Sequence, residues 1–130
     1  MISFGQFVFE STKPKVLCDF LCFVFDLDFE ATAANSFAID FFGLKVLIIP
    51  CEKTSTKKSG CVLHAASIEE LDQLRQKIEF FFYKNQIKVS PPLLFGNELR
   101  FNDTDGRAWF VDLPVSMLTR KVESRSQDVR

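Results

Sequence analysis

The stretch Asn102-Asp-Thr-Asp-Gly-Arg-Ala-Trp-Phe-Val-Asp112 joins a polar turn to an apolar strand. Asp-Gly inside a polar cluster favours a tight turn, because Gly reaches positive φ and Asp hydrogen-bonds to the nearby backbone. Strand-like residues flank it at Glu98 to Phe101 and Ala108 to Leu113, so the stretch predicts a β-hairpin. Asp103 and Asp105 are interpreted as turn formers, since the other carboxylates and the distal Glu of a calcium loop are missing.

Upstream of this hairpin, the pattern predicts a strand followed by a helix. Gly60 to Ala66 begins a strand, and Ser67 with Glu70 three residues later has the spacing of a capping box. Apolar residues then recur at intervals of three and four, as on a helix with one buried face. They are Ile68, Leu71, Leu74, Ile78, Phe81 and Phe82. Short strands are predicted after the helix at Ile87 to Val89 and Leu93 to Phe95.

The first half of the chain follows the same plan with different residues. Ile2 to Glu10 alternates as a strand does, and a hydroxyl of Ser11 or Thr12 is placed to cap a helix that runs to about Asp26. This helix is apolar on more than one stripe, so we expect it to be covered on more than one side. Phe29 to Pro50 then predicts two or three strands.

The repeated order of strand, helix and several strands predicts an α+β fold built from two βαβββ modules. We expect one domain over residues 1–115, with module one at 1–52, a linker at 53–60 and module two at 61–115. Residues 116–130 form a polar C-terminal tail.

Composition excludes several classes of function. The chain has 130 residues and a net charge of -1, so it lacks the broad basic surface that nucleic acid requires. The longest apolar run, Ile39 to Pro50, is shorter than the roughly 20 residues of a membrane span. A single histidine excludes a multi-histidine centre within one chain. Because no secretory signal opens the sequence, we expect a cytoplasmic protein whose four cysteines are buried free thiols.

The hairpin also resembles the Asp-Pro-Asp-Gly-Asn hairpin that closes domains of the vicinal oxygen chelate superfamily. This superfamily includes glyoxalase I, bleomycin resistance proteins and extradiol dioxygenases. Ala66-Ser-Ile-Glu-Glu-Leu71 resembles the start of its second helix, and Phe20-Leu21 stands where its first helix carries Phe-Tyr. The resemblance implies that the two mixed sheets curl into a cleft, with a helix packed on each module, and that a second chain often completes the cleft.

Enzymes of this superfamily bind a divalent metal through four ligands, one from the first and one from the last strand of each module. The resemblance places these positions at Gln6, Leu47, Cys61 and Phe110. Leu and Phe offer no lone pair to a metal, so we expect no metal and no other cofactor.

A cleft without a metal predicts a binding site for a small molecule. The candidate lining residues are Gln6, Val8, Glu10, Leu47, Cys61, Leu63, Phe110 and Asp112. We expect a small apolar or aromatic molecule to bind there without chemistry, oriented by Gln6, Glu10 or Asp112. His64 lies three residues after Cys61, so it should face the opposite side of the sheet and pack against a helix.

Two alternatives remain open at this stage. One is a metal-dependent lyase, isomerase or dioxygenase of the same superfamily, and the other is a non-catalytic interaction protein whose cleft is filled by Phe side chains. Because the first helix is so apolar, we also expect a homodimer in which a partner helps to cover it.

Overall fold

The computed structural model describes residues 1–3, 5–53 and 60–113. Two helices are present in this part of the chain, α1 over Pro14–Phe25 and α2 over Ile68–Lys84. α2 starts as predicted, since the Ser67 hydroxyl accepts a hydrogen bond from the Glu70 backbone N–H at 3.2 Å. The start of α1 differs from the prediction: its N-cap residue is Lys13, which makes no side-chain cap, and Pro14 takes the first turn because it has no N–H to satisfy.

The first sheet contains four strands in the order β1-β4-β3-β2. These are β1 (Phe7–Ser11), β2 (Phe29–Ala33), β3 (Ser36–Phe41) and β4 (Leu44–Pro50). β1 runs parallel to β4, and the other neighbours are antiparallel. The β3–β4 turn contains Phe42 at φ 56° and Gly43 at φ 93°, two consecutive left-handed residues that suit a tight hairpin.

The second sheet repeats the same arrangement in the order β5-β8-β7-β6. Its strands are β5 (Cys61–His64), β6 (Leu93–Phe95), β7 (Glu98–Asn102) and β8 (Ala108–Asp112). β5 is parallel to β8, as β1 is to β4. The fold class of two βαβββ modules is therefore confirmed.

Local boundaries differ from the sequence prediction in two places. β1 begins at Phe7 rather than Ile2, and residues 87–89 form no strand. The predicted linker falls mostly, and the tail entirely, outside the described residues, so the domain boundaries stay a prediction. No helix among the described residues is long and apolar enough to cross a membrane.

One aromatic core joins the two modules. Phe20 of α1 is fully buried and stacks on Phe82 of α2 with ring centroids 5.4 Å apart. Trp109 of β8 is 1% exposed and lies 5.7 Å from Phe41 of the first sheet and 5.9 Å from Phe101. α1 is thus covered within its own chain by α2, by strands of the first sheet and by ring contacts with Phe101 and Trp109 of the second, so more than one of its sides is buried.

The β7–β8 turn, residues 103–107, ties the second module to the first. The Ser11 hydroxyl donates to the Asp105 carboxylate at 2.6 Å, and the Thr12 backbone N–H donates to the same carboxylate at 3.2 Å. From the same turn, the Arg107 guanidinium donates to the Glu10 carbonyl at 2.8 Å. Asp105, one of the predicted turn formers, therefore also accepts hydrogen bonds from the residues that precede α1.

Asp103 holds this turn in shape from inside the protein. Its carboxylate is fully buried and accepts hydrogen bonds from the Arg107 guanidinium at 2.8 Å and the Trp109 indole at 2.9 Å. It also accepts from the backbone N–H groups of Asp105 and Arg107. With four donors around it, this buried charge is fully satisfied.

Candidate functional site

Each sheet has a core face, which packs on the helices, and an open face on its other side. The register pairs Phe9 with Ile48 on the core face of the first sheet, and Val8 with Leu47 on its open face. In the second sheet Cys61 pairs with Trp109 on the core face. Since side chains alternate along a strand, this register assigns every strand residue to one face.

The predicted lining residues do not all come together. Val8, Glu10 and Leu47 lie on the open face of the first sheet, and Gln6 precedes β1. Phe110 and Asp112 lie on the open face of the second sheet. Cys61 and Leu63 lie on the core face instead, paired with Trp109 and Val111, so the expected grouping of Cys61 with Phe110 on one wall does not occur.

A cavity of about 390 Å³ opens between the two sheets on their core side. We call it the inter-sheet groove, and it contains two of the predicted residues, Cys61 and Leu63. Its other walls are apolar and come from β1, β3, β4 and β8, and residues at its mouth include the half-exposed Phe7. The described residues that line it are Phe7, Phe9, Phe41, Leu44, Val46, Gly60, Cys61, Val62, Leu63 and Trp109.

The β7–β8 turn sets the width of this groove. Phe9 and Trp109 face one another across it with ring centroids 5.9 Å apart, edge to face. The Arg107 guanidinium lies 4.7 Å above the Phe9 ring and donates to the neighbouring Glu10 carbonyl. One buried cation therefore positions the wall that β1 supplies.

Of the described residues that line the groove, Cys61 alone carries a titratable side chain. Burial raises the pKa of this thiol above its ordinary value, and the positive charge of Arg107 offsets only part of that effect. A raised pKa keeps the thiol protonated and poorly nucleophilic at neutral pH, so Cys61 contributes to the groove as a small apolar surface. All four cysteines are free.

His64 and Asp112 form a pair on the open face of the second sheet. The imidazole Nδ1 lies 2.7 Å from the Asp112 carboxylate oxygen, and the His64 side chain is 56% exposed. His64 does lie on the side opposite Cys61, as predicted, but it faces solvent and Asp112 rather than a helix. The pairing follows from the parallel register of β5 and β8, which sets the two residues opposite each other.

A divalent metal does not fit the residues at the four positions that the resemblance names. Of the four positions named by the resemblance, Leu47 and Phe110 bear no donor atom, and Cys61 is on the core face. On the open face of β5 the alternatives are Val62, which has no donor, and His64. No group of three His, Cys, Asp or Glu side chains comes together within the described ranges, whereas catalytic zinc sites use three protein ligands.

Sequence reasoning missed most of the groove. Phe7, Phe41, Val46 and Trp109 were not among the predicted lining residues, because strand alternation gives two faces and does not say which one bounds a cavity. Trp109 and Cys61 share a face because β5 pairs in parallel with β8 and sets the two residues opposite each other. The first and last strands of module one pair in the same way.

Comparisons with known proteins recover the fold alone. No protein-family profile and no curated protein matches the sequence. Among solved structures, a mutant of the fosfomycin resistance protein FosX from Listeria monocytogenes, complexed with Mn(II) and 1S,2S-dihydroxypropylphosphonic acid, has a TM-score of 0.68 and 14% identity. The match covers 88% of this chain and 94% of the FosX chain.

Two further solved structures are similar, with somewhat lower TM-scores. FosX from Mesorhizobium loti has a TM-score of 0.64 and 16% identity, covering 94% of this chain and 99% of its own. Lactoylglutathione lyase from Agrobacterium tumefaciens has a TM-score of 0.60 and 12% identity, covering 85% and 92%. All three are vicinal oxygen chelate proteins, and their repeated βαβββ arrangement is the one described above. The chain therefore has the fold of the vicinal oxygen chelate superfamily.

Proposed function

We propose that this protein binds a small apolar or aromatic molecule in the inter-sheet groove and does not transform it. The observation that carries the proposal is the groove itself, about 390 Å³ of space bounded by the four aromatic rings of Phe7, Phe9, Phe41 and Trp109. Small-molecule sites are typically concave, mostly apolar and roughly 300–1,000 Å³ in volume.

The chemistry of the walls defines the ligand class. Among the described residues, no carboxylate, ammonium or guanidinium group lines the groove, and the Cys61 thiol is protonated at neutral pH because burial raises its pKa. A charged ligand would lose its hydration there without gaining a partner. A flat neutral molecule would instead gain ring contacts with Phe9 and Trp109.

Trp109 makes the proposal directly testable, because it is the single tryptophan of the chain and lies in the groove wall. The probe is N-phenyl-1-naphthylamine, a neutral aromatic dye whose emission rises in apolar surroundings. We expect saturable binding with quenching of Trp109 emission. Mass spectrometry of the recovered dye should find it unchanged.

A filling substitution and a matched control locate the binding site. Cys61→Phe places a ring inside the groove and should weaken dye binding about tenfold or more, by loss of about 1.4 kcal/mol of contact. Leu47→Phe makes a comparable change on the open face and should leave binding unaltered. Equal affinity in both variants, or no saturable binding to the parent protein, would contradict the proposal.

The metal-dependent lyase, isomerase or dioxygenase is the alternative that we do not favour. It would need three ligands, and in the described part of the chain His64 and Asp112 are the one histidine–carboxylate pair in contact. Elemental analysis of the purified protein separates the two functions: stoichiometric Mn, Fe, Ni or Zn would overturn the metal-free proposal.

We further propose that a second copy of the chain covers the open faces. Exposed apolar side chains there support this, notably Val8 at 51%, Val62 at 62% and Phe95 at 63% exposure. The remaining predicted site residues would then line the cleft between two copies. They are Gln6, Val8, Glu10, Leu47, Phe110 and Asp112. Because α1 is covered within its own chain, the dimer proposal depends on these open faces rather than on α1.

Light scattering coupled to size-exclusion chromatography tests the dimer. Phe95→Glu, at a 63% exposed position on the open face, should convert a dimer to a monomer, whereas Tyr83→Glu, at an 85% exposed position on α2, should not. A parent protein that is monomeric would refute it. A dimer that binds no dye would instead favour the interaction-protein alternative.

The four free thiols support the proposed cytoplasmic location, because such thiols persist in reducing compartments.

A further inference from the structure

A second cavity, of about 260 Å³, lies at the other end of β5. We call it the polar cavity. Its walls come from the C-terminal end of α1, the β3–β4 turn, the end of β5 and one face of α2. The volume falls just below the roughly 300–1,000 Å³ of drug-sized sites, which suits a smaller molecule.

The floor of this cavity is apolar and its rim is charged. Phe25, Leu63 and Leu74 contribute to the floor. Rim residues of both signs surround them, with Lys77 as the cation and Asp26 and Glu70 as the anions. This combination differs from the inter-sheet groove, where none of the lining residues that the structure describes is ionised.

The charged side chains of the rim are not fully paired by contacts within the described part of the protein. The side chains of Asp26 and Lys77 make no hydrogen bond or ion pair with any other described residue. Glu70 uses one carboxylate oxygen to accept from the Ala66 backbone N–H at 3.2 Å, which leaves its second oxygen available. Charged groups of both signs thus remain free to bind a ligand around one apolar floor.

His64 adds a fixed polar atom to the rim. Asp112 engages Nδ1 at 2.7 Å, and Nε2 has no partner among the described residues. His64 is one of the residues that line the cavity, and its contact with Asp112 restricts the orientation of the ring there.

We propose that the polar cavity binds a zwitterion of amino-acid size with an apolar side chain. Lys77 pairs with the ligand carboxylate, Asp26 and Glu70 pair with its ammonium group, and the side chain rests on Phe25 and Leu63. This site shares the Leu63 side chain with the inter-sheet groove, but its other lining residues differ, and its ligand class does not depend on the ligand of the groove.

Three compounds with one shared phenyl group test each part of the proposal: L-phenylalanine, 2-phenylethylamine without the carboxylate, and 3-phenylpropionate without the amine. The reporter is the imidazole resonance of His64 in NMR titrations, which is unambiguous because the chain has one histidine. We expect L-phenylalanine to shift it saturably and to bind about tenfold more tightly than either partial analogue, since each charged hydrogen bond contributes about that factor.

Two variants assign the charges. Lys77→Met should weaken L-phenylalanine and 3-phenylpropionate about tenfold while sparing 2-phenylethylamine, and Asp26→Asn should do the reverse. Lys88→Met, an exposed lysine outside the cavity, is the matched control and should change nothing. Equal affinities for all three compounds, or a His64 resonance unmoved at millimolar concentrations, would overturn the proposal. Dye binding reported by Trp109 is a separate measurement, so either site can fail without the other.

Discussion

Replacing Asp103 by alanine should destabilise the protein by about 3–5 kcal/mol, the range for removing one partner of a buried ion pair. The carboxylate is fully buried, and the side chain of its partner Arg107 is 9% exposed. Its loss leaves a buried guanidinium N–H, the Trp109 indole N–H and two backbone N–H groups without acceptors. Domains are typically stable by about 5–15 kcal/mol, so Asp103→Ala should remove a large part of the total.

Urea unfolding followed by far-ultraviolet circular dichroism measures this loss without depending on Trp109, whose surroundings change in the variant. With a slope of about 1.5 kcal/mol per molar urea, the midpoint should fall by about 2–3 M. Glu98→Ala removes an exposed carboxylate from the same hairpin and should cost less than about 0.5 kcal/mol.

A double variant shows whether the unpaired charge causes the loss. Asp103→Ala with Arg107→Met removes both charges and should be more stable than Asp103→Ala alone. A loss below about 1 kcal/mol in the single variant, or a double variant less stable than the single, would refute the reasoning.

Three further predictions concern the core, a helix cap and a thiol. Phe20→Ala should cost about 3–5 kcal/mol because the ring is fully buried, whereas Tyr83→Ala at an 85% exposed position should change the melting temperature little. Ser67→Ala should cost about 1 kcal/mol by removing the cap of α2, and the exposed Ser90→Ala is its control in the same thermal assay. Burial raises the pKa of Cys61, so its thiol stays protonated to higher pH in the folded state than in the unfolded state. The stability that this shift contributes is therefore lost as the pH rises through the folded-state pKa. Peptide mass spectrometry after iodoacetamide treatment should find Cys61 modified more slowly in native protein than in urea at about pH 8.5, and equal rates would contradict this.

The sequence predicted the order of elements well, because local patterns determine most of it. Ser67 and Glu70 marked the start of α2, and the Asp-Gly turn marked the last hairpin. The failures lie where local pattern and tertiary contact disagree. β1 starts at Phe7, where pairing with Val46 begins, although the alternation starts earlier. Residues 87–89 alternate as a strand would, yet the second sheet ends at β6.

The site was harder to predict because it depends on register. A shift of one residue exchanges the two faces of a strand, and the resemblance placed Cys61 together with Phe110 although they lie on opposite faces. The contact between His64 and Asp112 joins positions 48 residues apart and leaves no local signal in the sequence. The absence of donors at Leu47 and Phe110, in contrast, depends on residue type alone.

The contact between Ser11 and Asp105 also constrains how the chain folds during synthesis. It joins residues 94 positions apart, so the first helix lacks its completed N-terminus until the last hairpin has been made. At about 5–20 residues per second, that interval is about 5–20 s on the ribosome. Throughout it Phe9 and Phe41 lack their contact with Trp109 and remain available to other chains. The aromatic side chains of the first module are therefore most open to contact with other chains before synthesis is complete.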